Sequence, residues 1–317
     1  MHTIHKKLSA TVSSIQEVGQ DSKELFFTFD DPIDFSYYPG QFIMLEIPEP
    51  KEDMEWKIIT PREVWDMLVE KGRLSLESLL VLFPGLEEKT LAGIVHKLSA
   101  ATHISLEGDI YVANIDNAPE KKAPLFQRAY SMASCPDGGR TISTMVKATP
   151  NGFMSKYLIE RLTVGEKVLI SGPLGKFCFT EETTPNAILV SAGSGITPLM
   201  SMLRYVKSAN INVNATLLYS NKVPESIIYR DQLAHLSEEY PSIKVIHTIT
   251  RPEEATEAWE GKTGRIDTKL FKEAIAAMPE GQIFAFICGP LLFGKSMKEQ
   301  LIEAGVDEKF IHMEAYG

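Results

Sequence analysis

At 317 residues the chain is long enough for two or three domains, each with its own core. Its 44% hydrophobic content is that of a globular protein, and a net charge of −10 argues against a general nucleic-acid surface, which needs basic residues. The three cysteines, Cys135, Cys178 and Cys288, lie too far apart for a zinc or iron–sulfur spacing, so no metal site is expected and any one-electron centre belongs to a partner.

The opening residues Met1–Lys6 precede no apolar h-region, and no stretch approaches the roughly 20 apolar residues that span a bilayer. The expectation is a cytoplasmic chain without a membrane partner. Leu8–Val18 alternates, Glu24–Phe29 is rich in aromatic residues, and Asp30-Asp31-Pro32 breaks the run. Tyr38-Pro39-Gly40-Gln41 then turns into Phe42–Ile47. This spacing predicts antiparallel strands of a small barrel.

Residues 51–123 change character. Thr60-Pro61 is an N-cap followed by a first-turn proline, and it starts a helix that Gly72 ends. A second helix over Leu76–Phe83 is stopped by Pro84-Gly85, and a third is expected from about Leu86 to Ala101, with Leu91, Ile94, Val95 and Leu98 on one face. Ile104–Leu106 and Ile110–Ala113 form a hairpin, giving a winged-helix-like insert, and Asp116–Pro124 reads as a linker. From Lys51 to Lys122 there are nine Lys and Arg against thirteen Asp and Glu, a net of −4. Such a module repels a DNA duplex, so a docking, dimerisation or structural role is expected instead.

Gln127–Ser134 resumes the strand pattern, with Arg128 and Tyr130 on one face and Ala129 and Ser131 on the other. A guanidinium clamps a phosphate with a fork of donors, and an aromatic ring covers a flat heterocycle. Arg140–Ala148 is a strand containing Met145, Val146 and Lys147. Pro150-Asn151-Gly152 turns into a helix from about Met154 to Leu162, placing Ser155 near its start. Free N–H groups, the helix dipole and a hydroxyl together suit a pyrophosphate. A further strand, Val168–Ser171, runs into Gly172-Pro173-Leu174-Gly175.

From Asn186 short apolar strands alternate with helices, which predicts a parallel sheet covered on both faces. Five strands are expected, at 188–191, 213–219, 243–249, 282–288 and 310–313. After the first comes Gly193-Ser194-Gly195-Ile196-Thr197-Pro198, a strand–turn–helix whose glycines permit close approach of backbone to phosphate. After the fourth comes Cys288-Gly289-Pro290, at the carboxyl end where ligands of such sheets sit. Each signal also has an ordinary structural reading: exposed strand side chains, a serine at a helix start, a buried core thiol.

Taken in order, Arg128-x-Tyr130-Ser131, Gly152-Phe153-Met154-Ser155, Gly193-x-Gly195-x-x-Pro198 and Cys288-Gly289-Pro290 resemble the motifs of the ferredoxin–NADP reductase family. Pro39-Gly40-Gln41-Phe42 and Gly172-Pro173-x-Gly175-x-Phe177 add to the likeness, which covers about residues 8–50 and 124–317. The insert departs from that family's compact pattern. The resemblance implies an antiparallel six-stranded Greek-key FAD barrel (1–50 and 124–183), the insert (51–123) and a five-stranded doubly wound NAD(P) domain (184–317). It implies that Arg128, Ala129, Tyr130, Ser131, Met145, Val146, Lys147 and Gly152–Ser155 hold FAD. The terminal His312–Gly317 is similar to the family's E-x-Y ending, with Glu314 near Ser131 and Cys288 and with Tyr316 on the flavin face; the extra Gly317 is a departure. Gly193, Ser194, Gly195, Thr197, Pro198, Cys288, Gly289 and Pro290 would hold the nucleotide, with Ser131, Cys288 and Glu314 as the catalytic group.

No acid directly follows strand 213–219, while Thr250-Arg251, Lys262 and Arg265 offer a hydroxyl and cations, a pattern that favours NADP(H) over NAD(H). The implied activity is hydride transfer between NADP(H) and FAD, with single electrons passing to or from a separate ferredoxin or flavodoxin. A flavin or quinone reductase, or the reductase component of an oxygenase or dehydrogenase, is the alternative on the same core. A redox-sensing regulator acting through the insert is a third reading.

Overall fold

Strand β1 (His5–Gly19) turns through Gln20 and Asp21 into β2 (Ser22–Phe29), and β3 (Phe42–Glu46) follows the Pro39–Gln41 turn. Gly40 takes a φ of +101° there, and a Cβ would lie 2.3 Å from the Phe177 carbonyl oxygen, so only glycine fits. The computed structural model describes residues 3–48, 59–83, 86, 88–120, 126–149, 152–180, 182–183 and 185–316. The expected stop Pro84-Gly85, the linker residues Lys121, Lys122 and Pro124, the turn residues Pro150 and Asn151, and Gly317 lie outside the described residues.

The chain separates into two contact units, Met1–Pro48 with Gln127–Thr149 and Met154–Gly317, and Glu49–Phe126 with Pro150–Phe153. The second holds α1 (Pro61–Lys71), β4 (Leu74–Ser75), α2 (Leu76–Leu82), α3 (Glu88–Ala100), β5 (Ile104–Glu107) and β6 (Ile110–Ala113). Thr60 and Glu63 close a capping box at the start of α1. Val64, Trp65, Leu68, Leu79, Leu91, Val95, Leu98 and Ile104 form this unit's own core. Trp65 donates its indole N–H to the His103 carbonyl at 3.1 Å, which satisfies the one polar atom of a buried ring. The expected hairpin gains a third strand, in the order β4-β6-β5.

In the first unit β7 (Gln127–Ser131), β8 (Thr141–Lys147) and β9 (Lys167–Leu174) complete an antiparallel sheet of order β7-β3-β9-β1-β2-β8, and helix α4 (Phe153–Glu160), all but its first residue in this unit, lies between β8 and β9 in the chain. Its edge strands meet at one isolated bridge, Met132–Thr144, backed by the Ala133 N–H to the Ser143 carbonyl at 2.8 Å. The expected barrel is therefore a six-stranded antiparallel sheet whose edges touch at that point, without a continuous ladder around it.

Next come β10 (Asn186–Ala192), α5 (Ile196–Ser208), β11 (Asn214–Asn221), α6 (Arg230–Glu239), β12 (Ile243–Ile249), β13 (Lys262–Thr263), α7 (Thr268–Ala276), β14 (Ile283–Pro290), α8 (Leu291–Glu303) and β15 (Ile311–Tyr316). They build a parallel sheet of order β13-β12-β11-β10-β14-β15. It has six strands where five are expected, because the two-residue β13 pairs with the end of β12. Leu199, Met202, Leu203, Leu233 and Leu236 of α5 and α6 cover one face; Leu270, Phe271, Met297 and Leu301 of α7 and α8 cover the other. Val18, Ala133, Met145, Phe177 and Phe179, from the antiparallel side, belong to the same cluster as α5 and α6, so one core runs through both sheets. Each fully buried Leu or Phe contributes about 1.5–3 kcal/mol to it. Among the described residues no helix is long and apolar enough to cross a membrane.

Asp30, just past β2, ties three strands together. Its carboxylate accepts from Ser9 at 2.5 Å, Thr11 at 2.7 Å and the Lys167 ammonium at 2.7 Å. The Lys167 hydrogen bond, then Ser9 and Thr11, hold the carboxyl down at about 2, below its ordinary 3.8. A depressed carboxylate contributes stability above its unfolded value and loses it as pH falls through the folded one. Asp30→Asn is therefore expected to lower the denaturation midpoint at neutral pH, and the gap to the parent should close between pH 3.8 and about 2. A gap that stays constant over that range contradicts this role.

Candidate active site at the carboxyl ends of the parallel strands

Strands β14 and β15 run parallel, with Cys288 registered against Glu314. Strand β7 ends at Ser131, whose hydroxyl donates to Glu314 Oε1 at 3.3 Å. Three residues far apart in sequence thus converge. The Cys288 thiol is 3% exposed; burial, reinforced by the Glu314 carboxyl, pushes its proton affinity up, so it stands as a neutral thiol. Burial also raises the Glu314 carboxyl above its ordinary value, and the Ser131 hydrogen bond partly opposes the rise. A carboxyl in this setting can hold a proton nearer neutrality than an exposed one.

Tyr316 is the last residue of β15. The Tyr316 hydroxyl donates to the Ala192 carbonyl at 3.0 Å, at the entry to the Gly193–Gly195 turn. That turn links β10 to α5. Gly193 has φ +53°, and a Cβ on Gly195 would lie 2.1 Å from the Cys288 carbonyl oxygen. The glycines therefore let the turn sit directly on the end of β14. Tyr219 donates to the Gly193 carbonyl at 2.8 Å and Thr197 to the Ser194 carbonyl at 2.8 Å, while Pro198 lies buried in the first turn of α5. Ser191, registered beside Cys288, has a fully buried hydroxyl that lacks a hydrogen-bond partner among the described residues. An orphaned donor beside a glycine turn at the strand ends suits a nucleotide.

The cationic residues lie further along the same sheet. Thr250 donates its hydroxyl to the Asn221 carbonyl at 3.2 Å, and Arg251 pairs with Glu254 at 3.1 Å with both side chains about half exposed. Lys262 pairs with Glu273 at 3.3 Å. Lys262 and Arg265 line a cavity of about 220 Å³ with Thr248 and Thr263. Gly289 and Pro290 close β14, and a Cβ on Gly289 would meet the Phe293 ring at 2.7 Å.

On the antiparallel sheet, β7 is an edge strand paired with β3, with Ala129 opposite Met44. Arg128 is exposed; one N–H donates to the Gln127 carbonyl at 2.8 Å. Tyr130 is half-buried, and desolvation raises its phenol. A strand-edge guanidinium beside a partly covered phenol has the chemistry of a phosphate clamp with an aromatic platform. Met145 and Val146 are buried in β8, whereas burial and then repulsion from Lys222 lower the Lys147 ammonium against the pull of Asp21. Helix α4 starts at Phe153, one residue earlier than expected, after Gly152; Met154 and Ser155 are buried in its first turn. The Ser155 hydroxyl already accepts the Thr149 N–H at 3.2 Å and shares a 3.0 Å hydrogen bond with the Thr149 hydroxyl.

The sequence motifs do not announce Glu24 or Arg204. Glu24, fully buried in β2, receives two hydrogen bonds from the Arg204 guanidinium of α5, at 2.6 and 2.9 Å. The signal available was a charge in an apolar setting: Arg204 follows Leu199-Met200-Ser201-Met202-Leu203, a helix face bound for the core.

Two family models match the chain, the oxidoreductase FAD-binding domain over residues 95–179 and the oxidoreductase NAD-binding domain over residues 189–299. The first match begins inside α3, so β1–β3, set apart in sequence by the insert, fall outside it. Ferredoxin–NADP reductase B of Sorangium cellulosum is 32% identical over 194 residues, which span 60% of this chain and 78% of that protein. The glycine betaine monooxygenase reductase subunit of Chromohalobacter salexigens is 31% identical over 190 residues, 60% of this chain and 51% of the relative. The chain thus spans about half the length of that curated relative and of its Pseudomonas aeruginosa counterparts. Among solved structures, the flavohem-like FAD/NAD binding domain of a Vibrio cholerae nitric oxide dioxygenase overlays 99% of this chain and 100% of its own, with a TM-score of 0.65 at 19% identity. A ferredoxin NADP+ reductase from Neisseria gonorrhoeae overlays 98% and 99%, at a TM-score of 0.61 and 17% identity, a likeness of fold. By these matches, together with its two sheets, the chain belongs to the ferredoxin–NADP reductase family of FAD-dependent NAD(P)H oxidoreductases.

Proposed function

We propose that this protein transfers hydride between NADP(H) and FAD and exchanges single electrons with a separate carrier of the ferredoxin or flavodoxin kind. The observation that carries the reading is the convergence of Ser131, Cys288 and Glu314 at the carboxyl end of β14. FAD, when bound, supplies the conversion between two-electron and one-electron transfer. The chain's own residues supply orientation and proton control. Arg128 and Tyr130 would grip the flavin phosphate and ring system, Ala129, Met145, Val146 and Lys147 would line it, and the Gly152–Ser155 helix start would take the pyrophosphate. Gly193, Ser194, Gly195, Thr197 and Pro198 would let the nucleotide phosphates approach the start of α5, while Gly289 and Pro290 border the nicotinamide.

Cys288 acts in this reading as an uncharged wall. Its thiol keeps its proton, so it positions the nicotinamide by packing and does not attack it. Glu314 holds or releases a proton at its carboxyl, and Ser131 Oγ relays it over the 3.3 Å hydrogen bond. Tyr316, tethered to Ala192, stands where an arriving nucleotide would have to move it.

A second acceptor is favoured by the relatives named as glycine betaine monooxygenase reductase subunits. On that reading the chain is the reductase part of an oxygenase system, and the electrons leave by a centre outside residues 1–317. Both readings share the hydride step. The insert, with its acidic excess, is read as a winged-helix-like protein-docking or structural module, and the protein as cytoplasmic.

Thr250 and Arg251 support a preference for the 2′-phosphate of NADP(H), although Glu254 already shares the guanidinium. The expected steady-state result is a higher kcat/KM with NADPH than with NADH, narrowed by Arg251→Ala; a clear preference for NADH overturns the nucleotide assignment. Cys288→Ala should slow single-turnover flavin reduction on the order of tenfold or more through misplacement of the nicotinamide, with FAD content unchanged. A variant reduced at the parent rate removes Cys288 from the reaction.

A further inference from the structure

The three site residues come from strands of two different sheets, so something must fix those sheets against each other to within fractions of an ångström. Two side chains of α5 are placed to do so. Arg204 Nη1 donates to Glu24 Oε1 at 2.6 Å and to the Ala133 carbonyl at 2.9 Å; Nη2 donates to Glu24 Oε2 at 2.9 Å and to Gln232 Oε1 at 2.8 Å. The guanidinium also lies over the Tyr229 ring, 5.2 Å from its centroid. Ser201, one turn earlier, donates to the Ser134 carbonyl at 2.5 Å. On the other side Ser143 donates to Glu24 Oε1 at 2.5 Å, and the Ser143 N–H donates to Ser134 Oγ at 2.9 Å.

These contacts close a circuit. Ala133 and Ser134 follow Ser131 by two and three residues, and α5 grips both of their carbonyls. Helix α5 begins at Ile196, directly after Gly195, the glycine seated on the Cys288 carbonyl. Cys288 registers against Glu314, and Glu314 receives the Ser131 hydroxyl. The path from Ser131 to its partner Glu314 runs through the Arg204 fork on the buried Glu24 and back. The guanidinium is the only common side chain with enough planar donors to hold a carboxylate bidentately and still reach a carbonyl and an amide oxygen.

We propose that Arg204, anchored on Glu24, is a positioning residue for the hydride step, setting the placement of Cys288 and Glu314 against Ser131. This rests on the flavoenzyme reading above. It assigns Arg204 no contact with the flavin or the nucleotide, since Arg204 lies more than two turns along α5 from the Gly193–Gly195 turn.

The test uses the FAD-loaded full chain. An apolar double variant, Arg204→Met with Glu24→Leu, removes the fork without leaving a buried charge unpaired. Arg204→Lys keeps the charge opposite Glu24 but lacks the planar fork. Single-turnover flavin reduction by NADPH, the nicotinamide–flavin charge-transfer absorbance and the nucleotide dissociation constant are read together. The expected result is reduction slowed on the order of tenfold or more in the double variant and partly in the lysine variant, with a weakened charge-transfer band and a nucleotide affinity within about twofold of the parent. Rates and band equal to the parent in both variants overturn the proposal; if the double variant does not fold, a lysine variant at the parent rate overturns it alone. Amide exchange in nucleotide-free protein is the second readout: loss of protection at Ala133 and Ser143 supports the grip, and full protection in either variant contradicts it. A parent flavin that neither nucleotide reduces refutes the flavoenzyme reading instead, and the exchange result then decides the grip by itself.

Discussion

The structure turns on one buried charge. Glu24 sits in β2 without contact with water, and a carboxylate in that position is tolerable only when paired and fully hydrogen-bonded. Arg204 and Ser143 supply those bonds, one from a helix of the parallel sheet and one from the neighbouring antiparallel strand. An apolar contact at this point would slide without much loss, because dispersion and hydrophobic burial have no preferred direction. A bidentate ion pair does not slide. The continuous core around Val18, Phe177, Phe179 and α5 supplies the adhesion between the sheets, and the Glu24–Arg204 pair supplies the register.

Local geometry then follows from small residues. Gly195 lets the β10–α5 turn rest on the Cys288 carbonyl, and parallel pairing of β14 with β15 delivers Glu314 beside Cys288. Ser131 arrives from the antiparallel sheet and meets the carboxyl. The desolvation that accompanies this assembly keeps the thiol neutral and raises the carboxyl, which is the electrostatic setting that a proton-holding residue beside a hydride donor needs. The same low dielectric makes the unpartnered Ser191 hydroxyl costly.

Much of this is legible along the chain because it is written in local rules. The change of period at Asn186 and the glycine turn at Gly193–Gly195 announce the parallel sheet, and the order of four short motifs identifies the family. What escapes sequence reading is non-local. Glu24 and Arg204 are 180 residues apart, and neither carries a motif, so only a charge among buried neighbours hints at the pair. The strand β13 has two residues and no pattern of its own; pairing with the end of β12 creates it. The meeting of the two edges of the antiparallel sheet is likewise a tertiary outcome, made at the Met132–Thr144 bridge. For the second unit, the Thr60-Pro61 helix start and the helical spacing of Leu91, Val95 and Leu98 are readable in the sequence, whereas the pairing of β4 with β6 is not.

We propose Ser131, Cys288 and Glu314 as the frame of a hydride-transfer site between a nicotinamide and a flavin. Anaerobic titration of the purified, FAD-loaded protein with NADPH tests it most directly. The yellow flavin absorption is expected to bleach in proportion to the nucleotide added and to return when an oxidised ferredoxin or flavodoxin is supplied. A protein that cannot take up FAD, or whose flavin absorption is unchanged by both NADPH and NADH, contradicts it.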